Sequence, residues 1–233
     1  MSNRHEVLLQ EVRTRVSLLK NSLPHEVDGF ALSSQSKLPF KVLLYREALI
    51  WRMAELGECA CRDFEADDLI SGIVLTRAAV ETAAALWFLH GKVDAAVKSR
   101  SVGDIDTYLM KLNFGTTTFG VDSQDDQSLP RPVKVSKFLE SVEADIEGYS
   151  HSYGTLSDFA HPNWAGTTLT YSKIDRMTGT AVFGKNLRSG KTAKTPGLSS
   201  LMGALEVFEF RYNGIRDLLP AFVRLCEESK PQK

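Results

Sequence analysis

The chain is poor in cysteine and shows no arrangement of metal ligands. Its only cysteines are Cys59, Cys61 and Cys226. Their odd number, and the Cys-x-Cys pair inside a segment with helical periodicity, predict no disulfide framework. The five histidines show no ligand spacing with one another or with that pair. We therefore expect no metal and no other cofactor, and a reducing compartment such as the cytoplasm.

The chain also lacks an excess of charge and a secretory signal. Its formal net charge is -1 at pH 7, so overall electrostatics give no reason to bind nucleic acid or an anionic membrane. The first residues, Met-Ser-Asn-Arg-His-Glu, are polar and contain no apolar signal-peptide core. With 43% hydrophobic and 24% charged residues, the composition is that of a soluble globular protein. We expect a single domain over residues 1–233.

Long hydrophobic runs are scarce, and the longest one is interrupted by charge. The run Leu69–Leu89 carries Arg77 and Glu81 near its middle, which is costly in lipid, so it predicts a buried core helix and no membrane span. The two charges are four residues apart and lie on one helical face. An unpaired buried charge is expensive, so the spacing predicts an ion pair. Such a pair either fixes helix packing or belongs to a functional pocket.

Hydrophobic periodicity predicts a mainly α fold, a helical bundle of about six to seven helices with one β-hairpin before the C-terminal helix. The long apolar helix is expected to end beside Gly91, and Gly103 is expected to break the helix after it. The hairpin is expected at about 167–184, with mobile loops at about 114–134 and 185–197. The other predicted helices cover about Asn3–Asn21, Pro39–Asp63, Asp94–Asn113, a segment capped by Ser136, Tyr149–Ala160 and Leu198–Glu228.

The segment Tyr153–Asn163 places a histidine at a predicted helix end. Pro162 disfavours helical geometry in the residue before it, so His161 should end the helix, where the dipole favours its protonated form. A histidine so placed is suited to general acid–base chemistry. The alternative is a capping role, with the ring bonded to backbone carbonyls or to Tyr153. Ser157 lies one turn earlier, but no oxyanion hole or orienting third group points to a serine hydrolase.

A basic segment runs from Arg176 to Leu205. It contains five cations and no Asp or Glu, although the remainder of the chain is acidic. The stretch around Lys191 looks like a phosphate-binding loop, but Lys185 stands where the first glycine is required and Pro196 interrupts the expected helix. The segment is therefore either a solvated loop or a mobile basic finger that contacts an RNA backbone.

Two motifs together resemble the HEPN-like superfamily, in particular its uncharacterised bacterial helical-bundle members. The motifs are Arg-Ala-Ala-Val-Glu (Arg77–Glu81) on an apolar helix and Tyr-Gly-Thr-Leu-Ser-Asp-Phe-Ala-His-Pro-Asn (Tyr153–Asn163). The resemblance implies a helical bundle, often dimeric, and many catalytic members are metal-independent ribonucleases in toxin–antitoxin or antiphage defence systems. His161 matches the family's histidine, whereas the arginine that precedes it in the family motif, with four to six residues in between, has no basic counterpart at 154–156.

The resemblance implies a set of site residues and partners. His161 would be the acid–base group, Arg77 would hold a phosphate, and Glu81 would orient one of them. RNA or a nucleotide, a second copy of the chain and an antitoxin or defence-system protein are the expected partners, with no membrane. The alternative is a non-catalytic helical interaction module in which these three residues are structural. The residues expected to contact a substrate are Tyr153, Ser157, Asn163, Lys185, Arg188 and Lys191.

Overall fold

A computed structural model describes residues 2–117, 129–185, 187 and 190–229 of the chain. These residues form eight α-helices, one π-helical turn and a two-stranded hairpin, so the mainly α prediction is confirmed. The elements are α1 (Ser2–Asn21), α2 (Gly29–Leu32), α3 (Leu38–Glu65), α4 (Leu69–Ser99), α5 (Ile105–Phe114), α6 (Val135–Glu143), α7 (Tyr149–Ala160), the π-helical turn (Ala165–Leu169), β1 (Ser172–Asp175), β2 (Thr180–Phe183) and α8 (Gly190–Glu228).

Helix α4 is the centre of the bundle. It packs most extensively against α8 and α3, and also against α5, α6 and α7. Its middle is a run of small and aliphatic side chains, and Ala83, Leu86 and Leu89 are fully buried. Of the described helices, α4 alone is long and apolar enough to cross a membrane, and 61% of that apolar window is buried inside the fold. A mostly buried window of this kind is also found in the core helices of soluble proteins.

Helix α4 is longer than predicted. Gly91 does not end it, and the helix continues to Ser99 before Arg100 adopts a left-handed conformation with φ 52°. The predicted helix start at Asp94 is therefore wrong. A glycine costs a helix about 1 kcal/mol, which the burial of Val93 and Ala96 at the far end offsets. The predicted break at Gly103 is confirmed, because that residue (φ 49°) lies between α4 and α5.

The predicted hairpin is confirmed in type, although it is shorter than expected. Strands β1 and β2 are antiparallel, with Ser172 opposite Phe183 and Asp175 opposite Thr180. Residues 165–169, expected within or beside the first strand, form the π-helical turn instead. Asn163 stabilises that turn, since its Oδ1 accepts hydrogen bonds from the two backbone N–H groups of residues 165 and 166 at 3.0 and 3.2 Å.

Helix α8 begins at Gly190 and not near Leu198, so the predicted loop at 185–197 is wrong over its second half. Pro196 lies inside this helix. The extra turns are held by tertiary contacts: Ala193 is 1% exposed, and Lys194 forms an ion pair with Asp67 at 2.5 Å. Side-chain contacts with the rest of the fold here override the helix-breaking signal of a proline.

Two smaller expectations also need correction. Ser136 is not the cap of α6, because the helix already begins at Val135 and makes no side-chain cap hydrogen bond. No helix was predicted between residues 22 and 38, but this stretch contains α2, whose first turn is capped by Asp28 through bonds to two backbone N–H groups. Residues 115–117 and 129–134 connect α5 with α6, and the rest of the predicted 114–134 loop lies outside the described residues.

Candidate functional site

One face of α4 reaches the surface of the bundle. Ile70, Val74, Arg77 and Glu81 are spaced three or four residues apart, so they form one stripe along the helix. Val74 is 44% exposed, and the side chains of Arg77 and Glu81 are 28% and 27% exposed. The expectation that this helix is buried nearly all round is therefore wrong along this stripe. Neighbouring helices bury most of the remaining side chains between residues 72 and 89, and this stripe stays open to a ligand or partner.

Arg77, Glu81 and Tyr153 form one hydrogen-bonded network. Nε and Nη2 of Arg77 donate to the Tyr153 hydroxyl at 3.0 and 2.7 Å, and that hydroxyl donates to Oε1 of Glu81 at 2.7 Å. The predicted ion pair is confirmed, with Arg77 Nε 3.5 Å from Glu81 Oε1. Partial burial and the bond to Glu81 raise the pKa of Tyr153. The two motifs that are far apart in sequence thus meet through a tyrosine hydroxyl.

His161 lies at the end of α7, as predicted, but it does not join this network. Its backbone N–H donates to the Ser157 carbonyl at 3.0 Å, and its side chain is exposed. Among the described residues, none forms a hydrogen bond or ion pair with the imidazole. His161 is eight residues from Tyr153, which is about 12 Å along a helix axis. The structure therefore brings together Arg77, Glu81 and Tyr153, and it leaves His161 apart from them.

The other polar residues of the motif have local structural contacts. The Ser157 hydroxyl donates to the Tyr153 carbonyl one turn earlier at 2.9 Å, a bond that ties it to its own helix. Asn163 caps the π-helical turn through its side chain. Both residues are therefore engaged in holding the end of α7 and the turn that follows it.

The basic segment is partly neutralised within the chain. Lys185 pairs with Asp68, and this hydrogen bond raises the pKa of Lys185. Lys194 pairs with Asp67 in the same turn between α3 and α4. Arg188 and the side chain of Lys191 lie outside the described residues. Two of the five cations of the basic segment, Lys185 and Lys194, are therefore paired with carboxylates of the same chain.

A groove of about 500 Å³ lies where the first turns of α4 meet the hairpin base. Its walls are largely apolar and include Ile70, Val74 and Tyr171, while Asp68 and Lys185 stand at its polar side. Ile70 and Val74 belong to the same α4 stripe as Arg77. The stripe therefore offers an apolar groove at one end and the tyrosine-linked ion pair at the other.

Large hydrophobic side chains are concentrated at the surface of the hairpin and its flanks. Met177 is 95% exposed, Phe183 77% and Trp164 63%. We call this set the hairpin surface, and it comprises Trp164, Tyr171, Ile174, Met177, Val182, Phe183 and Leu187. A concentration of exposed large apolar side chains is a frequent mark of a binding site.

A second arginine–glutamate–tyrosine cluster was not predicted. Arg46 and Glu47 are 7% and 9% exposed and form an ion pair. Nε and Nη2 of Arg46 donate to the Tyr212 carbonyl, each at 3.1 Å, and the Tyr212 hydroxyl donates to Glu47 at 2.5 Å. Burial and that bond raise the pKa of Tyr212. The signal was present in the sequence, since two charges interrupt the apolar seam of α3, but the partner on α8 is 165 residues away.

Within the described ranges, no group of three or more His, Cys, Asp or Glu side chains is arranged to hold a metal ion. No family model, curated protein or solved structure matches this chain.

Proposed function

We propose that the chain is a non-catalytic helical interaction module that binds another protein through the hairpin surface. The observation that carries the proposal is the exposure of Trp164, Met177 and Phe183, three large apolar side chains within 20 residues. Aromatic residues and methionine are enriched in the cores of protein interfaces. Burying a side chain of this size gives about 1.5 to 3 kcal/mol, so a few of them suffice for specific binding.

The polar residues of the motifs support the same proposal. Arg77, Glu81 and Tyr153 satisfy one another and tie α7 to α4. The Ser157 hydroxyl is bound to its own helix, and Lys185 is paired with Asp68. These residues stabilise the part of the bundle from which the hairpin projects. This is the structural role expected for Arg77 and Glu81 in a non-catalytic interaction module.

The test is affinity purification of the tagged chain from host cells that also make the untagged chain, with quantitative mass spectrometry that distinguishes the two copies. Phe183→Asp places a charge in the hairpin surface and should remove the specific partner. Phe210→Asp is the matched control, because Phe210 is 64% exposed but lies on α8 beside Trp87. The partner should be retained by the wild type and the control and lost at least tenfold, or about 1.4 kcal/mol, with Phe183→Asp. An identical set of bound proteins in all three samples contradicts the proposal.

A second candidate is an RNA- or nucleotide-binding role, including a degenerate metal-independent ribonuclease. One observation favours it: no described residue accepts a hydrogen bond from Nη1 of Arg77, whose side chain is 28% exposed. A phosphate therefore has access to this guanidinium edge, and arginine is well suited to bind phosphate.

This candidate is tested by incubating purified protein with mixed RNA in the absence of metal. His161→Ala should abolish cleavage, whereas His151→Ala should not, because His151 is an exposed histidine on the same helix. Arg77→Gln should weaken RNA binding measured by fluorescence polarisation. Cleavage that is absent, or equal in the wild type and both histidine variants, removes the enzymatic version.

A further inference from the structure

The hairpin is a two-stranded sheet with almost no cover. Of its eight strand residues only Ser172 is buried, and the strand residues from Lys173 onward are exposed. A two-stranded hairpin without further strands or a packed face is marginally stable in water. Apart from the buried Ser172 at the start of β1, the outer edges therefore present backbone N–H and C=O groups to the solvent, and these groups are able to pair with another strand.

The two outer edges differ in their chemistry. Strand β1 has the sequence Ser-Lys-Ile-Asp and carries Lys173 and Asp175, the kind of charge that protects an edge strand from pairing. Strand β2 has the sequence Thr-Ala-Val-Phe, with no charge and no proline. Thr180, Val182 and Phe183 also favour strands, so β2 is the edge that is open to pairing.

The hydrogen-bond pattern shows which groups of β2 face outward. The N–H of Gly184 donates to the Tyr171 carbonyl at 3.0 Å, so this opposed pair is hydrogen-bonded. Hydrogen-bonded and non-hydrogen-bonded pairs alternate in an antiparallel ladder. Val182, opposite Lys173, is therefore bonded to β1. The N–H and C=O groups of Ala181 and Phe183 point away from β1.

We propose that a second copy of the chain occupies the outer edge of β2, with the two β2 strands antiparallel about a two-fold axis. The result is a four-stranded sheet in the order β1-β2-β2-β1. In this register Ala181 forms a hydrogen-bonded pair with the partner's Phe183, and Val182 faces the partner's Val182 in a non-hydrogen-bonded pair. This inference rests on the proposed function, because it names the protein that the hairpin surface binds.

Symmetry and charge select this edge for self-pairing. An antiparallel strand paired with its own copy obeys two-fold symmetry, the commonest symmetry of homo-oligomers. The Val182-centred register uses both outward-facing residues of each β2 strand. The corresponding register at β1 centres on Lys173 and places it directly opposite Lys173 of the partner subunit, which is destabilising. Self-association is therefore favoured at β2 and opposed at β1.

The strands are short, so the dimer is expected to be reversible. Each copy contributes four strand residues and the flanking apolar side chains. A standard interface buries about 1,600 Å² and uses about 20 to 30 residues from each partner, so this one is smaller. We expect a monomer–dimer equilibrium that depends on protein concentration, and no permanent dimer.

Sedimentation velocity of the purified full chain between about 1 and 500 µM tests this pairing, a range that brackets dissociation constants of weak complexes. Ala181→Pro removes an outward-facing N–H without removing a bond to β1, so it should make the protein monomeric throughout. Ile174→Pro is the matched control at the equivalent outward-facing position of β1, and it should dimerise like the wild type. Circular dichroism confirms that both variants keep their helical content.

Cysteine cross-linking gives a second measurement of the register. In a Cys59→Ser background, Val182→Cys should form a disulfide-linked dimer on mild oxidation, because residues in a non-hydrogen-bonded pair lie about 4.5 Å apart. Thr180→Cys should form at least tenfold less of the disulfide-linked dimer. A wild type that stays monomeric over the whole range, or a dimer abolished by Ile174→Pro and kept by Ala181→Pro, overturns the inference. If the purified wild type is monomeric but Phe183→Asp still loses a partner in cells, the proposed function stands and self-pairing fails.

Discussion

At the scale of single residues, the hydroxyl of Tyr153 is the link between two helices. It accepts two hydrogen bonds from Arg77 and donates one to Glu81. Tyr153→Phe removes this link and leaves two partly buried charged groups with one partner fewer. We expect the free energy of unfolding, measured by urea denaturation, to fall by about 1 to 3 kcal/mol. Tyr171→Phe is the control, since no described residue hydrogen-bonds to that hydroxyl, and it should change stability by less than about 0.5 kcal/mol.

The two arginine–glutamate pairs should differ in their contribution to stability. Glu47 is 9% exposed and its partner Arg46 is buried with it, so Glu47→Gln leaves a buried guanidinium unpaired and should cost about 3 to 5 kcal/mol. The Glu81 side chain is 27% exposed, and Glu81→Gln should cost about 1 kcal/mol or less because water screens the remaining charge. Equal losses for the two variants in the same urea titration would contradict this reading of the burial.

His90 should make stability depend on pH. Burial and the nearby Arg211 lower its pKa from 6.5 to about 4. Between these values the unfolded chain binds more protons than the folded one, so the free energy of unfolding falls as the pH is lowered from about 6.5 to about 4. The wild type should lose on the order of 2 kcal/mol more than His90→Gln over this window, a figure reduced for the partial exposure of the ring. Parallel pH profiles for both proteins would show that the folded state does not depress this pKa.

Residue-level predictions succeeded where the sequence spacing was short. The ion pair of Arg77 and Glu81 follows from a separation of one helical turn, and the position of His161 follows from Pro162. The partial exposure of that pair was not predictable, because it depends on which part of α4 is covered by α7. The sequence also gave no means to tell that Tyr153, and not His161, contacts the pair.

At the scale of helices, two glycines of α8 should respond in opposite ways to the same substitution. A Cβ on Gly197 would lie 2.7 Å from Cζ of Phe64, a fully buried ring with no room to move. Gly197→Ala should therefore destabilise the fold by about 1 to 3 kcal/mol. A Cβ on Gly203 meets nothing within 4 Å, so Gly203→Ala should stabilise the helix by about 0.5 to 1 kcal/mol. Thermal denaturation measures the change in stability of each variant. If both variants were more stable than the wild type, α8 would have to lie further from Phe64 than the structure places it.

Helix type was predictable from periodicity, whereas two helix ends were not. The bounds of α1, α3 and α7 agree closely with the apolar spacing. Gly91 was interpreted as a helix end, and Pro196 as an interruption of the helix expected after Lys191, because both residues disfavour helical backbone locally. The structure keeps both inside helices because Val93 and Ala193 are buried against other elements. Contacts of this kind join segments that are distant in sequence, so a local sequence pattern does not predict them.

At the scale of the whole molecule, stability should be greatest at the centre of α4 and least in the hairpin. Native-state hydrogen exchange should be slowest for backbone amides between Val80 and Leu89, which are enclosed by α3 and α8. The outward-facing amides of Ala181 and Phe183 should exchange rapidly in dilute protein. They should become protected only at concentrations where the sedimentation coefficient rises. Strong protection of these amides in the monomer would mean that another part of the chain already covers the β2 edge.

Two lysine–aspartate contacts tie the end of the hairpin and the first turns of α8 to the turn before α4. Lys185 binds Asp68 and Lys194 binds Asp67, and three of these four side chains are 43% to 70% exposed. The Debye screening length is about 10 Å at 0.1 M salt and about 3 Å at 1 M, so added salt weakens ion pairs between exposed side chains. Higher ionic strength should therefore let the first turns of α8 fray, so the rate at which trypsin cuts after Lys194 would report how firmly the hairpin is anchored to the bundle.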